Sequence, residues 1–166
     1  QLFYQSPETI EANVKGLANK FKDNGLTVDD YVKACIKQPS LFTLLPESVE
    51  ANVKRLVEKF KDNGLALDDY VKACAKRPSL FCLSPDTIES NVKGLVEKFK
   101  DNGLTVDEYL KACVKQPSLF SQSPDTLEAN VKGLIEKFKD NGLTVDDYVK
   151  ACVKQPQLFY QSPETI

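Results

Sequence analysis

Apolar residues return along this chain in two alternating stripes. Ser6-Pro7-Glu8 places an N-cap, a proline at the first helical position and an acid in the first turn. From there Ile10, Val14, Leu17 and Phe21 recur at spacings of four, three and four, which predicts a long amphipathic helix stopped at Asn24-Gly25. Thr27 to Asp30 resembles a capping box with Asp in the last place. Val28, Tyr31, Val32, Cys35 and Ile36 then trace a second, shorter helix ended by Gln38-Pro39. Pro39-Ser40-Leu41-Phe42 is too brief for an α-helix, but one 3₁₀ turn would carry Leu41 and Phe42 inward before the next helix begins.

The whole pattern is written four times. Pro7, Pro46, Pro85, Pro124 and Pro163 stand 39 residues apart at every step, with no insertion or deletion between them. The units run 7–45, 46–84, 85–123 and 124–162, and residues 1–10 are identical to 157–166. Residues 1–6 and 163–166 therefore belong to flanking units of a single repeat array. The predicted fold is all-α: an α-solenoid, or superhelical array, of four 39-residue helix-turn-helix-plus-3₁₀ repeats in which each unit covers its neighbour. A chain that begins at Gln1 without a signal segment reads as an excerpt of a longer protein. The apolar stripes of the first and last units match those of the inner ones instead of turning polar, which predicts head-to-tail association of chains.

Composition removes several function classes. The longest unbroken apolar run, Leu80-Phe81-Cys82-Leu83, is far too short to span a bilayer, so no membrane partner is expected. Twenty-two basic against 24 acidic residues give a net charge of −2, and any polyanion must be held by a local patch. With no histidine, an imidazole base, an imidazole metal ligand and a Ser-His-Asp triad are all impossible. No CxxC pair offers a zinc clamp, and Cys35, Cys74, Cys113 and Cys152 sit in the second apolar stripe as reduced core thiols, which suits an intracellular, reducing compartment. Asp29-Asp30 and their copies are neighbours about 100° apart on a helix and do not share a proton as an acid/base pair would. Neither an enzyme, a cofactor, a metal nor a small-molecule substrate is expected.

The string from Asn24 to Pro46, written across the units as NGLTVDDYVKACxKQPSLFxxSP, is similar to the repeats of the mitochondrial transcription termination factor (mTERF) family. That pattern pairs a glycine-leucine turn with a second helix, then a proline, two apolar residues and a short third turn. The resemblance implies a curved α-helical solenoid that binds double-stranded nucleic acid, most simply DNA, along its concave side. The phrase KQPxLFxQSP also resembles tandem repeats in secreted effectors of plant-associated bacteria, which would place the protein inside a host cell. The unit length and the acidic balance depart from the organellar family, whose members are usually basic.

Positions that change between units are the candidate readers. The place after each Leu-Phe pair holds Tyr4, Thr43, Cys82, Ser121 and Tyr160; the next holds Gln5, Leu44, Leu83, Gln122 and Gln161. Modular readers of nucleic acid present one or two changing side chains on a constant scaffold. On that reading Tyr4, Thr43, Cys82, Ser121, Tyr160, Gln5, Gln122 and Gln161 face bases. A freely drifting turn would vary in the same way, with Leu44 and Leu83 acting as staples on Val49 and Ile88.

On a helical wheel the phosphate candidates group on one flank of the first helix. Beside the apolar stripe of the first helix lie Asn13, Gly16 and Lys20 and their copies, with Arg55 replacing the glycine once. A mid-helix glycine costs about 1 kcal/mol against alanine, so something approaches closely there, either a neighbouring helix or a phosphate backbone. Lys20, Arg55, Lys59, Lys98 and Lys137 are the phosphate candidates. The second helix carries a further basic stripe, Lys33 and Lys37 with their copies, which reads as a solvated face paired with Asp29 and its copies at i,i+4. The competing function class is a protein-interaction or purely architectural scaffold of consensus-like units that binds no nucleic acid.

Overall fold

The computed structural model describes residues 5–164. Among them the chain forms eight α-helices separated by 3₁₀ turns, with no strand. The helices are α1 (Pro7–Lys20), α2 (Val28–Lys37), α3 (Pro46–Lys59), α4 (Leu67–Lys76), α5 (Pro85–Phe99), α6 (Val106–Lys115), α7 (Pro124–Phe138) and α8 (Val145–Lys154). Two compact units divide them, Gln1–Asp86 and Thr87–Ile166, the boundary falling in the first turn of α5. Each unit is all-α and stacks its helical repeats in solenoid fashion.

The local chemistry sets each helix end. Ser6 Oγ accepts the Thr9 N–H at 3.2 Å, and the capping box of α2 forms, with Thr27 Oγ1 accepting from Asp30 N–H at 3.0 Å. The first helix ends earlier than its apolar stripe suggests. After Lys20 the chain tightens into a 3₁₀ turn over Lys22–Asn24, and Gly25 then takes the left-handed region at φ 93°. Leu26 N–H donates to Phe21 O at 3.2 Å and Gly25 N–H to Lys22 O at 3.1 Å, the two bonds of a Schellman closure. Gly64, Gly103 and Gly142 repeat this geometry. The second repeat lacks both polar caps: Leu45 and Ala66 occupy the N-cap positions of α3 and α4, and neither makes a side-chain cap bond.

In the first unit α1 packs on α3 and α2 on α4. Leu17, Phe21, Tyr31, Cys35, Leu41, Leu56 and Cys74 are among its fully buried side chains. The edge of Tyr31 meets the ring of Phe81 with centroids 5.5 Å apart, so the second helix of one repeat is closed by the 3₁₀ turn of the next. Phe42 has no preceding tyrosine and stays half-buried, where Phe81 is buried. In the second unit α6 packs on α8, and Tyr109 meets Phe159 in the same way at 5.5 Å.

Within a repeat, an amide ties the first helix to its own 3₁₀ turn. Asn13 Nδ2–H donates to Phe42 O at 3.3 Å, Asn91 to Phe120 O at 3.2 Å and Asn130 to Phe159 O at 3.3 Å. The mid-helix glycines meet a neighbour's proline. A Cβ on Gly16 would stand 2.9 Å from Pro46 Cγ, and one on Gly94 2.7 Å from Pro124 Cγ; Gly133 faces Pro163 likewise. Close packing between successive repeats therefore accounts for these glycines.

Candidate nucleic-acid interface

The cations divide by helix. On the first helices they are paired. Lys15, Lys54, Lys93 and Lys132 each hold the acid one turn earlier, Glu11, Glu50, Glu89 and Glu128, at 2.8–3.0 Å. Three of the predicted phosphate residues point the other way, into the following repeat. Lys20 binds Glu50 at 3.2 Å, Lys59 binds Asp86 at 3.3 Å, and Lys98 binds both Asp125 at 3.0 Å and Glu128 at 3.1 Å. Arg55 reaches Asp86 at 3.8 Å, and Lys137 donates to Pro163 O at 2.7 Å. Glu50 and Glu128 are each held below the ordinary carboxylate range, first by Lys54 and Lys132 and then by Lys20 and Lys98. Reciprocally, Asp125 and then Glu128 hold the Lys98 ammonium above its usual value. These predicted phosphate clamps thus join one repeat to the next.

The second helices are different. Lys33, Lys37, Lys72, Lys76, Arg77, Lys111, Lys115, Lys150 and Lys154 are exposed, and among the described residues none makes an ion pair. The expected i,i+4 pair of Asp29 with Lys33 does not form. The corresponding acids are engaged elsewhere, Asp68 accepting from Asn24 Nδ2 at 2.6 Å and Asp146 from Asn102 Nδ2 at 2.8 Å, both across repeats. At Asp68 and Asp146 the neighbouring repeat offers the carboxylate an amide donor in place of the lysine. Lys37, Lys76, Lys115 and Lys154 are left to solvent in the last helical turn, where the helix dipole favours them.

Clefts follow this row. The Gly25-Leu26 turn with Asp30, Val71, Lys72, Ala75 and Lys76 lines a cleft of about 200 Å³, and Asn102 to Leu104 with Glu108, Val149, Lys150, Val153 and Lys154 line one of about 280 Å³. A further cleft of about 440 Å³ is lined by Lys37, Gln38, Lys76, Arg77, Pro78 and Ser79, with no acid among them.

The variable turn residues lie at the ends of the 3₁₀ turns. Thr43 and Ser121 close back on their own turns, donating to Ser40 O at 2.9 Å and to Ser118 O at 3.0 Å. Cys82 and Tyr160 reach the preceding turn instead, Cys82 Sγ lying 3.8 Å from Ser40 Oγ and Tyr160 Oη bonding Ser118 Oγ. Gln5, Gln122 and Gln161 are half-buried, and Gln5 Oε1 is a buried oxygen without a partner. Tyr4 lies outside the described residues. Thr43, Ser121 and Tyr160 are half-buried and Cys82 is exposed, so the candidates sit on an accessible row of turns that also bonds to itself.

The four stripe cysteines are buried, and burial drives their thiols upward, Cys35 to about 11 and Cys152 to about 12; Cys82 is the exposed thiol. Among the described residues no helix is long and apolar enough to cross a membrane, and no group of acids and cysteines is placed to hold a metal ion.

The model of the mTERF family matches residues 1–166. The chain belongs to the mTERF family. It is therefore a nucleic-acid-binding helical-repeat protein of a family of regulators that are generally not enzymes. A comparison with curated proteins finds no match. What the wheel missed in this mTERF chain is the set of bridges between repeats, Lys20 to Glu50, Lys98 to Glu128 and Asn24 to Asp68. Each partner recurs at a constant place in every unit, 30 or 44 residues from the other, but the recurrence does not by itself say which side chains meet.

Proposed function

We propose that this mTERF protein binds double-stranded DNA with the exposed lysines of its second helices on phosphates and the turn residues Thr43, Cys82, Ser121, Tyr160, Gln5, Gln122 and Gln161 toward the bases. The observation that carries the phosphate assignment is the sorting of charge. Lysines of the first helices are satisfied by fixed carboxylates, whereas Lys37, Lys76 and Arg77 converge on a cleft without an acid. A phosphate that met Lys20 must first break its 3.2 Å bond to Glu50, whereas one that met Lys76 breaks no ion pair. Arg55, loosely held at 3.8 Å and largely exposed, joins the phosphate set. The base-reading assignment draws on size and polarity changing at one surface position of an otherwise constant unit. Copies of this chain are also proposed to associate head to tail.

The test is a titration of fluorescent duplex and single-stranded oligonucleotides against salt, starting at about 50 mM. The triple variant Lys37→Gln, Lys76→Gln, Arg77→Gln reduces the slope of log K against log salt by about 2 to 3, at roughly 0.9 per phosphate contact. Lys20→Gln with Lys98→Gln leaves the slope unchanged and lowers stability instead. Absence of binding to either oligonucleotide at low salt sinks the nucleic-acid reading for this chain. An equal loss of slope in both variants sinks the division of labour. Exchanging Tyr160 and Ser121 without altering preference across a base-sequence panel ends the reader assignment.

A further inference from the structure

Two demands on one turn place a labile dipeptide at the joints between repeats. At Gly25 and Gly103 the backbone is left-handed, φ 93° and 92°, and no neighbour stands within 4 Å of a Cβ built there, so the dihedral alone selects glycine. The residue before each glycine donates to a carboxylate of the next repeat. Asn24 Nδ2 meets Asp68 Oδ1 at 2.6 Å, and Asn102 Nδ2 meets Asp146 Oδ1 at 2.8 Å. The joint is thereby written Asn-Gly, the pair in which a main-chain amide with no side chain to shield it lies next to a carboxamide.

Such a pair loses ammonia in water. The Gly25 amide nitrogen, its proton taken by hydroxide, attacks Asn24 Cγ; the Cγ–Nδ2 bond breaks, and ammonia leaves with a proton from water. Water then opens the succinimide at one carbonyl or the other to give aspartate or isoaspartate, and no oxidant or reductant takes part. In the folded turn both reacting groups are occupied. Gly25 N–H donates to Lys22 O at 3.1 Å while Asp68 holds the Asn24 amide. Gly103 N–H likewise donates to Lys100 O at 3.1 Å while Asp146 holds Asn102. The reaction waits for the turn to open.

We propose that Asn24 and Asn102 are sites of spontaneous deamidation, guarded by the carboxylates of Asp68 and Asp146, and that their conversion unlocks the joint permanently. The product sets a carboxylate against the carboxylate that had accepted from the amide, so a charge-assisted bond becomes a like-charge contact. Isoaspartate also adds a methylene to the main chain just before Gly25, inside the loop that Leu26 N–H closes on Phe21 O at 3.2 Å. That turn shares a cleft with Val71, which is 1% exposed, so conversion uncovers the apolar core of the joint. The co-reactant is water alone, and nothing here depends on nucleic acid.

The full chain is incubated at mildly alkaline pH, folded or in urea, and peptide mapping by mass spectrometry scores aspartate and isoaspartate at positions 24 and 102. Both positions convert in urea and do so roughly tenfold or more slowly in the folded chain, the weight of one hydrogen bond to a charged group. Asp68→Ala speeds position 24 by roughly tenfold and leaves position 102 at its wild-type rate; Asp146→Ala does the reverse. Asp69→Ala, one residue along the same exposed turn, changes neither. Asn24→Asp builds one converted state directly and speeds amide exchange at Leu26 and Tyr70, whose N–H groups bond Phe21 O and Ala66 O. The exchanged pair, Asn24→Asp with Asp68→Asn, restores the bond with its ends reversed and returns exchange to the wild-type rate. Equal conversion in folded and unfolded chains overturns the inference, as does a chain that stays intact even in urea. So do Asp68→Ala without acceleration, Asp69→Ala with the same acceleration, Asn24→Asp with unaltered exchange, or an exchanged pair that fails to rescue it.

Discussion

Asn13→Ala tests what holds the 3₁₀ turn, and hence the row of variable residues, in register with the first helix. Asn13 is 6% exposed, and its Nδ2–H donates to Phe42 O at 3.3 Å across 29 residues of sequence. Alanine removes the donor, leaving a part-buried carbonyl that costs about 1–3 kcal/mol. The gain from alanine's better helix propensity offsets up to about 0.7 kcal/mol, so the net loss is about 0.3–2.3 kcal/mol. The internal comparison is Lys15→Ala on the same helix. Its ion pair with Glu11, at 2.8 Å with both side chains more than half exposed, is worth less than about 0.5 kcal/mol. Urea unfolding followed by far-ultraviolet circular dichroism reads both. Because repeat arrays lose stability locally, amide exchange at Leu41 and Phe42 should accelerate in Asn13→Ala and not in Lys15→Ala. Equal small effects from both substitutions would mean that apolar packing alone positions the turn.

Three further outcomes follow from the same geometry. Leu45→Ser and Ala66→Thr restore N-caps that the other repeats possess, and each should raise stability by about 0.5–1 kcal/mol in urea melts; no gain would show that these helix ends are already solvated without cost. A thiol-reactive chromophore should label Cys82 rapidly in the native protein and the buried, high-pKa Cys35, Cys74, Cys113 and Cys152 only on unfolding, an ordering that quantitative mass spectrometry reads directly. Glu50 and Glu128 have folded values below their unfolded ones, so their contribution is present above the ordinary carboxylate pKa and is lost as pH falls through the folded values. Denaturation midpoints should therefore fall on acidification, less so in the double variant Glu50→Gln, Glu128→Gln.

Local signals along the chain were sufficient for nearly every element. Proline after serine, the Thr27–Asp30 box and the glycine turn each act within one turn of helix, so Ser6, Thr27 and Gly25 sit where their chemistry requires. The fixed period of 39 residues fixed the stacked-repeat class, because a stripe that recurs identically is buried by its neighbour's copy. Even the break after Lys20 is a local event, hidden from the apolar pattern because Phe21 stays buried while its backbone leaves the helix.

Which charges are free was decided only in three dimensions. Lys20 and Lys37 look alike on a helical wheel, yet one meets Glu50 of the next repeat and the other meets water. Asp29 and Asp68 hold the same place in their units, but Asp68 alone has Asn24 before it. An ion pair or amide bridge across 30 to 44 residues depends on the rise and rotation from one repeat to the next, quantities that no window of sequence contains. Hydrophobic periodicity specifies which face is buried, while pairing of long polar side chains waits on ångström-scale placement of backbones. The proposed phosphate contacts accordingly fall mainly on the second helices, with Arg55 retained from a first helix.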